Sequence, residues 1–292
     1  MPLGQTLSFL EVSAVNLQQS TSALSQLMND QYSGLIIRSA YTTEQMLSAS
    51  QRMQSAEIQK LLESPNQGMF GGELKTLGAA ATPTFTALNG PNEESYLASI
   101  EQAGQWQKLI FDDLDMNQSL ADLFSQLYHH KPCHPAPFLN LQRENGPEKR
   151  SVTHWLPFNY RILPVGVQIY SHHDMHYRLP LYQNLPENYN RQILFSWFLT
   201  TQTAEQGGEL IVYGLTSDDP NPPLLPTRFM DTEALEKNYH KATVSLDIGD
   251  LVIFNSGRYV HRVNRVEGNR PRITIGGFLT KDLAETQLVY WS

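Results

Sequence analysis

Cysteine is almost absent from the chain, and so are long apolar runs. Cys133 is the single cysteine among 292 residues, so an intramolecular disulfide framework is excluded. No cationic segment followed by an apolar run opens the chain, and no apolar run approaches the roughly 18 residues that a membrane-spanning helix needs. We therefore expect a soluble, cytoplasmic protein without a membrane partner.

Positive charge is also scarce. The sequence has 21 Lys and Arg residues against 29 Asp and Glu residues, a formal net charge of −8. No block of Lys or Arg interrupts this acidic balance. Because nucleic-acid binding leaves a basic patch or stripe in a sequence, we expect no nucleic-acid partner.

The first half of the chain has mainly helical patterns. Leu17 to Met28 fit an amphipathic helix, and Thr42 with Gln45 forms a capping box that opens a helix reaching to about Leu62. Further helical patterns cover about 92–110 and 117–128, and these helices should support one face of a sheet. A short strand is predicted in SGLIIRSAY, before the capping box, and a long loop between residues 64 and 91.

The second half has repeated strand patterns. Apolar or alternating runs occur at 152–163, 165–170, 192–200, 207–214, 249–254, 257–263 and 272–279. We predict an α+β protein whose core is a double-stranded β-helix, a cupin-like jelly-roll, buttressed by N-terminal helices. We expect the whole of 1–292 to form one catalytic domain, with 1–150 mainly helical and 151–292 forming the jelly-roll. Residues 215–245 break the strand pattern and are a candidate lid.

The stretch VGVQIYSHHDMHY contains the strongest chemical signal. His172 and Asp174 lie two apart at the end of a strand, so both side chains point to one face. His261 follows a second strand signal almost ninety residues later. Two imidazoles and one carboxylate form the facial triad that leaves open positions on non-haem Fe(II). Strand alternation points His173 to the opposite face. His176 shares the face of His172 and Asp174, and it is expected to lie beside the metal or to contact the substrate rather than to be a metal ligand.

A second metal pattern is HHKPCH at 129–134. Structural zinc sites usually draw ligand pairs from two separate segments, and no partner pair is evident in the sequence. The segment is therefore interpreted as a proline-rich connector after a helix.

The sequence resembles the Fe(II)/2-oxoglutarate-dependent oxygenases in three features. It has the pair His172 and Asp174 two residues apart, the distant His261, and Arg272 eleven residues after His261. The strings GGELIVYG, GDLVIF, GRYVHRV and RITIGGFL resemble the welwitindolinone-type indole-alkaloid halogenases, over roughly 155–280. Those enzymes have Gly where this chain has Asp174, and the missing carboxylate makes room for chloride on iron. The resemblance thus implies the scaffold, and the departure implies hydroxylation.

Three further residues are candidates for cosubstrate binding. Arg272 and Thr274 share one face of a strand, and a guanidinium can hold a carboxylate through two parallel hydrogen bonds. These two residues suit the distal carboxylate of 2-oxoglutarate. Arg270 has the same parity and competes with Arg272, but Pro271 and the family register favour Arg272. Tyr160 is predicted to contact cofactor or substrate.

The sequence therefore predicts a dioxygenase that uses Fe(II), 2-oxoglutarate and O2 to hydroxylate a C–H bond of a small molecule, with release of succinate and CO2. The same oxidant could instead desaturate, cyclise or halogenate its substrate. A cupin-type metal enzyme that does not use 2-oxoglutarate would also fit these residues, and so would a non-enzymatic jelly-roll binding module. Release of succinate separates these classes.

Overall fold

The computed structural model describes residues 3–62, 73–78, 93–142, 149–174 and 180–292. The helices are α1 (Ala23–Met28), α2 (Thr43–Met53), α3 (Ala56–Gln59), α4 (Glu93–Phe111), α5 (Met116–Leu127) and α6 (Thr232–Asn238). The strands are β1 (Phe9–Ser13), β2 (Gly34–Arg38), β3 (Lys75–Leu77), β4 (Cys133–Pro135), β5 (Pro137–Gln142), β6 (Lys149–His154), β7 (Asn159–Leu163), β8 (Ile169–His172), β9 (Phe195–Gln202), β10 (Gln206–Gly207), β11 (Leu210–Thr216), β12 (Lys241–Val244), β13 (Leu251–Phe254), β14 (Tyr259–Val263), β15 (Val266–Glu267), β16 (Arg272–Lys281) and β17 (Leu288–Trp291). The fold is α+β and rich in strands.

The larger sheet has nine strands in the described part of the chain. Its main path runs β1-β2-β13-β9-β16-β17-β4, and β7 pairs with both β16 and β3 beside this path. The smaller sheet has the order β12-β11-β14-β8. Strands β5 and β6 form a separate antiparallel pair.

The two sheets face each other. One apolar cluster joins Ile36, Val252 and Phe254 of the larger sheet to Leu210 and Val212 of the smaller sheet. Since the members come from both sheets, this cluster fills the space between them. The rest of the space between the sheets contains the polar residues described below.

The helices cover the opposite face of the larger sheet. The largest apolar cluster joins sheet residues such as Leu199, Ile273 and Ile275 to Trp106 of α4 and Phe124 of α5. Burial of such large side chains is the main source of stability, at about 1.5–3 kcal/mol for each one. The predicted helical buttress is therefore confirmed, and it lies on one face of the nine-stranded sheet.

Several predicted elements need correction. The capping box of Thr42 and Gln45 is present, but α2 ends at Met53 and a four-residue helix follows. A long loop was expected between residues 64 and 91, and only residues 73–78 of it are described. Of these, residues 75–77 form β3. The expected connector at 129–134 contains the start of β4, which pairs in parallel with β17. The N-terminal part also supplies two strands to the larger sheet, because β2 pairs with β13 and β1 pairs with β2.

The predicted lid at 215–245 consists of parts with different positions. Leu235 of α6 packs on Ile211, Tyr213 and Val260, on the outer face of the smaller sheet, and β12 is the edge strand of that sheet. Helix α6 is therefore a second buttress. Only the irregular residues 217–231 stay a candidate lid.

In the described part of the chain, every helix is too short or too polar to span a lipid bilayer.

Candidate metal centre and its surroundings

Two neighbouring strands of the smaller sheet bring the predicted histidines together. His172 is the last residue of β8, and it lies directly opposite His261 of β14 in the antiparallel register. The two ring centroids are 4.4 Å apart. Because the two histidines are register partners, both side chains point to the same face of the smaller sheet.

Asp174 joins the two imidazoles just beyond the end of β8. Its backbone N–H donates to the carbonyl of Ser256, at 2.9 Å, which fixes the chain at this point. Its Oδ1 lies 3.6 Å from Nε2 of His172, and its Oδ2 lies 3.8 Å from Nε2 of His261. One ligand atom from each of the three residues lies within 4.8 Å of the others, so a single ion could contact all three.

The hydrogen bonds of the two imidazoles favour metal binding. Nδ1 of His172 lies 2.7 Å from the carbonyl of Tyr170, and Nδ1 of His261 lies 3.1 Å from the carbonyl of Tyr259. A carbonyl only accepts, so Nδ1 carries the proton in both rings, and the lone pair of Nε2 points to the centre. Burial, together with the nearby His172, lowers the pKa of His261 to about 3. The neutral form, which binds metal, is therefore favoured.

Ser196 orients the carboxylate from the opposite sheet. Its hydroxyl, on β9, donates to Oδ2 of Asp174 at 2.7 Å. This bond occupies one carboxylate oxygen and leaves Oδ1 for a metal ion. Ser196 was not predicted; the signal was a small hydroxyl side chain between Phe195 and Trp197 in the apolar first half of β9. Asp174 is only 6% exposed. Its carboxylate is fixed by Ser196, and its backbone is fixed by the Ser256 carbonyl.

The larger sheet presents a polar stripe towards this cluster. Thr274 of β16 lies opposite Arg161 of β7 and Thr200 of β9. Asn159 and Arg272 share the same face by alternation. The other face of the same strands carries apolar residues in contact with the helices. Polar side chains are therefore concentrated on the face that looks towards the metal cluster.

Arg272 is an interior cation without a carboxylate partner among the described residues. Its guanidinium lies over the ring of Phe198, at 4.8 Å, and the residue is only 8% exposed. It lines a cavity of about 190 Å³ with Thr200 and Glu209, but Glu209 accepts a hydrogen bond from Asn264. Burial, together with the nearby Arg161, lowers the pKa of Arg272 to about 10, and Glu209 opposes this shift only in part. The site thus has a guanidinium that no described carboxylate pairs with directly.

The rival arginine has a different environment. Arg270 is exposed, and its guanidinium donates to the carbonyls of Thr203 and Ala204 at 2.9 and 3.3 Å. It is fixed on a surface loop. Arg270 and Arg272 lie two residues apart, so alternation would point them to the same face, but only Arg272 is buried.

The structure places Tyr160 away from the metal cluster. Its ring stacks on Phe111 and lies edge-on to Trp106, both on α4. Tyr160 alternates with Asn159 and Arg161 along β7, so its side chain points to the helices when theirs point between the sheets. The prediction that Tyr160 contacts cofactor or substrate is therefore not supported, because the wrong face of the strand was chosen.

The other candidate ligands stay outside the cluster. Within the described residues, His172, Asp174 and His261 form the only group of three or more potential ligands. In HHKPCH, both ring nitrogens of His134 lie within hydrogen-bonding distance of Pro135 and Gln287 oxygens. Among the described residues, no cluster of potential metal ligands includes this segment. His176 lies outside the described residues.

Comparison with known proteins agrees with this geometry. A family model described as carrier-protein-independent halogenase WelO5 matches residues 6–292. The chain belongs to this family. It is thus an enzyme, a 2-oxoglutarate-dependent oxygenase related to WelO5. No curated protein matches the chain.

Solved structures resemble the WelO5-family chain at low sequence identity. An N-substituted L-amino acid dioxygenase from Burkholderia ambifaria is 16% identical, with a TM-score of 0.51 over 93% of this chain and 91% of that chain. The epimerase SnoN from nogalamycin biosynthesis is 10% identical, with a TM-score of 0.48 over 88% and 80%. A Pseudomonas putida prolyl-4-hydroxylase is 15% identical, with a TM-score of 0.40 over 90% and 97%. The first likeness supports the fold.

Proposed function

We propose that the protein is a hydroxylase that uses Fe(II), 2-oxoglutarate and O2 to oxidise a C–H bond of a small molecule. His172, Asp174 and His261 are the proposed iron ligands. When bound, iron and 2-oxoglutarate activate O2, release succinate and CO2, and oxidise the substrate. The observation that carries hydroxylation is the Asp174 carboxylate, which lies between both imidazoles and accepts the hydrogen bond of Ser196.

The residues of the chain have separate tasks in this proposal. The Nδ1–H bonds of His172 and His261 to their own strands hold the rings in one tautomer. Arg272 binds the distal carboxylate of 2-oxoglutarate, since its donors have no carboxylate partner among the described residues and a guanidinium fits a carboxylate with two bonds. Thr274, on the same face, adds a hydroxyl. Phe254 of the apolar cluster between the sheets packs edge-on against His261 and shields that side of the site.

Hydroxylation is favoured over chlorination because of the third ligand. The halogenases that this sequence resembles have Gly at the position of Asp174, which leaves room for chloride. Here a carboxylate occupies that position, and Ser196 holds it at 2.7 Å. A bound anion with a fixed hydrogen bond is difficult for chloride to displace. Desaturation and cyclisation depend on how the substrate is placed.

Halogenation is the second candidate, and one observation favours it. The family model that covers residues 6–292 is that of a halogenase. For this chain to act as a halogenase, Asp174 would have to leave the metal. The hydrogen bond that Ser196 donates to its carboxylate and the bond that its own backbone N–H donates to the Ser256 carbonyl oppose that movement. We therefore rank it below hydroxylation. A cupin-type enzyme without 2-oxoglutarate and a binding module rank lower still.

The architecture that we propose is one catalytic domain over 1–292. Its two facing sheets form a double-stranded β-helix, with the metal centre at one mouth. Residues 217–231 are the candidate lid, and they carry the exposed apolar side chains Leu224, Leu225 and Phe229. Such a surface suits a small apolar molecule. The cytoplasmic location and the lack of a nucleic-acid partner stay predictions from the sequence.

The test is to incubate the purified protein with Fe(II), 2-oxoglutarate and a panel of small molecules in chloride-rich buffer. Succinate and products are measured by mass spectrometry. Succinate release with a product heavier by one oxygen atom is expected. A dominant chlorinated product from the unmodified protein would overturn hydroxylation. Absence of any metal-dependent consumption of 2-oxoglutarate would overturn the whole proposal.

A further inference from the structure

Glu209 is a half-buried acid that the proposed function leaves without a task. It directly precedes β11, and it lines the cavity of about 190 Å³ together with Arg272. Glu205 also lines this cavity, but it is exposed and accepts the backbone N–H of Asn269 at 2.8 Å. A fixed negative charge therefore shares one cavity with the guanidinium that is proposed to bind a negatively charged ligand.

Hydrogen bonds hold Glu209 in place. Its Oε2 accepts from Nδ2 of Asn264 at 2.9 Å, and its backbone carbonyl accepts the backbone N–H of the same asparagine, also at 2.9 Å. Oδ1 of Asn264 in turn accepts from the guanidinium of Arg262, which forms an ion pair with Glu236 of α6 at 2.8 Å. The carboxylate of Glu209 can therefore leave the cavity only if a bond of this network breaks.

The backbone next to Glu209 approaches the side chain of Arg272. A Cβ atom at Gly208 would lie 3.1 Å from Cδ of Arg272, so the stem of the arginine packs against the residue before Glu209. The two charges form no direct ion pair, but they interact: burial and Arg161 lower the pKa of Arg272, and Glu209 opposes that shift. Glu209 therefore favours the charged form of the guanidinium.

The charge of Glu209 has opposite effects on the empty and the occupied site. A buried cation without compensation is costly, and Glu209 offsets part of that cost when no ligand is bound. When a ligand carboxylate lies on Arg272, the same negative charge repels it, and the low dielectric constant of the interior strengthens this repulsion. Glu209 should thus stabilise the empty site and weaken the occupied one.

This balance matters because the proposed reaction converts one dicarboxylate into another. Succinate keeps the distal carboxylate of 2-oxoglutarate, so a guanidinium that binds the cosubstrate also retains the product. Each turnover requires the spent dicarboxylate to leave. A weak opposing charge beside the guanidinium would lower the affinity for both molecules and allow exchange.

We propose that Glu209 is a positioning residue that limits the affinity of Arg272 for dicarboxylates and thereby promotes release of succinate. The inference rests on the proposed function, because it takes Arg272 as the group that binds the distal carboxylate. It adds a residue of the smaller sheet that acts through Arg272 without contacting the reacting atoms.

The test uses protein loaded with Mn(II) in place of Fe(II), so that binding is measured without turnover. Titration calorimetry compares 2-oxoglutarate and succinate with 2-oxobutyrate, which lacks the distal carboxylate. The variants are Glu209→Gln, which removes the charge, and Glu209→Asp, which keeps it. Glu267→Gln is the control, because it removes the same charge from an exposed residue of the neighbouring β15.

Glu209→Gln should bind 2-oxoglutarate and succinate roughly threefold to thirtyfold more tightly. Its affinity for 2-oxobutyrate should stay at the wild-type value, and so should all affinities of Glu267→Gln. Glu209→Asp should stay close to the wild type for the two dicarboxylates. A purely structural role of Glu209 would not tighten binding of one ligand class alone.

Thermal unfolding gives a second readout. Without ligand, Glu209→Gln should unfold at a lower temperature than the wild type, because the buried guanidinium loses its compensating charge. The rise in unfolding temperature on addition of 2-oxoglutarate should be larger than in the wild type. If Glu209→Gln does not fold, Asn264→Ser replaces it, since that variant releases Oε2 of Glu209 and should also tighten dicarboxylate binding.

The inference is overturned if the folded variant binds 2-oxoglutarate with wild-type or lower affinity, because Glu209 would then support Arg272 or have no effect on it. Equal tightening of 2-oxobutyrate would overturn it as well. A wild-type protein that binds metal but not 2-oxoglutarate gives a different result, which removes the proposed cosubstrate site itself. The failure of the inference and the failure of the proposed function are therefore distinguishable.

Discussion

The two faces of the nine-stranded sheet differ sharply although the same strands build both. On the helix side, Leu199, Ile273 and Ile275 belong to a large apolar cluster. On the other side, Arg272 and Thr274, which alternate with those isoleucines along β16, belong to a polar stripe opposite the metal cluster. One face therefore stabilises the fold, and the other holds the chemistry.

This difference shows how strand alternation divides the tasks of one strand. Successive residues of β16 point to opposite faces. A substitution of Ile275 should therefore change stability, and a substitution of Thr274 should change ligand binding. Substitutions on the helix side should lower stability and leave ligand binding intact. Substitutions on the inner side should have the reverse effect.

The largest effect is expected for His261→Ala on the inner side. The variant loses one of two imidazoles in a site where the ligand atoms lie within 4.8 Å of one another. Iron binding should fall to background and turnover should be abolished. Metal analysis after dialysis measures this, with His134→Ala as a control because His134 lies in a strand outside the cluster. Full iron occupancy in His261→Ala would remove this histidine from the ligand set.

On the helix side, Ile275→Ala should strongly destabilise the fold. Ile275 is completely buried, and truncation of a buried isoleucine costs about 2–5 kcal/mol. Chemical denaturation measures the loss. Metal affinity of the folded fraction should stay at the wild-type value. A variant of normal stability with weakened metal binding would contradict the assignment of the two faces.

Arg272→Lys tests the inner face at some distance from the metal. Lysine keeps the charge but loses the planar fork that matches a carboxylate. We expect the 2-oxoglutarate concentration for half-maximal activity to rise roughly tenfold or more, with unchanged iron content. Arg270→Lys is the matched control, since Arg270 donates to surface carbonyls. Equal effects of both variants would argue against an interior carboxylate site.

Ser196→Ala should weaken metal binding without unfolding the protein. The hydroxyl holds Oδ2 of Asp174 at 2.7 Å, and loss of a bond to a metal ligand costs about 10- to 100-fold in affinity. Ser50→Ala is the control, because Ser50 is buried and donates to the carbonyl of Thr201 on the helix side. If both variants bind metal as the wild type does, Ser196 has no role in orienting the carboxylate.

The smallest effect is expected at Glu236 of α6, on the outer face of the smaller sheet, and it concerns the stability of the fold at low pH. Burial alone would raise the pKa of Glu236, but hydrogen bonds from Lys241, Tyr213 and Arg262 lower it from 4.5 to about 2. Because the folded pKa is depressed, this stabilisation is complete above pH 4.5 and is lost as the pH falls towards 2. Glu236→Gln should flatten the acid side of the stability curve. An identical curve would show that Glu236 does not hold α6 on the sheet.

Sequence reasoning identified the local features and missed the long-range ones. The strands that carry His172, His261 and Arg272 have clear apolar patterns, and the two-residue spacing gave the orientation of Asp174. Pairing of β2 with β13 joins residues more than two hundred positions apart, which no local pattern contains. Tyr160 was chosen as a cofactor or substrate contact, but which face of its strand looks towards the metal cluster depends on the position of α4. The bond from Ser196 likewise exists only once the two sheets meet.

The most direct measurement is iron-edge anomalous diffraction from crystals grown without oxygen, with Fe(II) and 2-oxoglutarate. The account predicts one iron peak in contact with Nε2 of His172, Nε2 of His261 and one carboxylate oxygen of Asp174, with 2-oxoglutarate extending to Arg272. An iron peak that is absent from this cluster, or that lies elsewhere in a protein still folded as described, would contradict it.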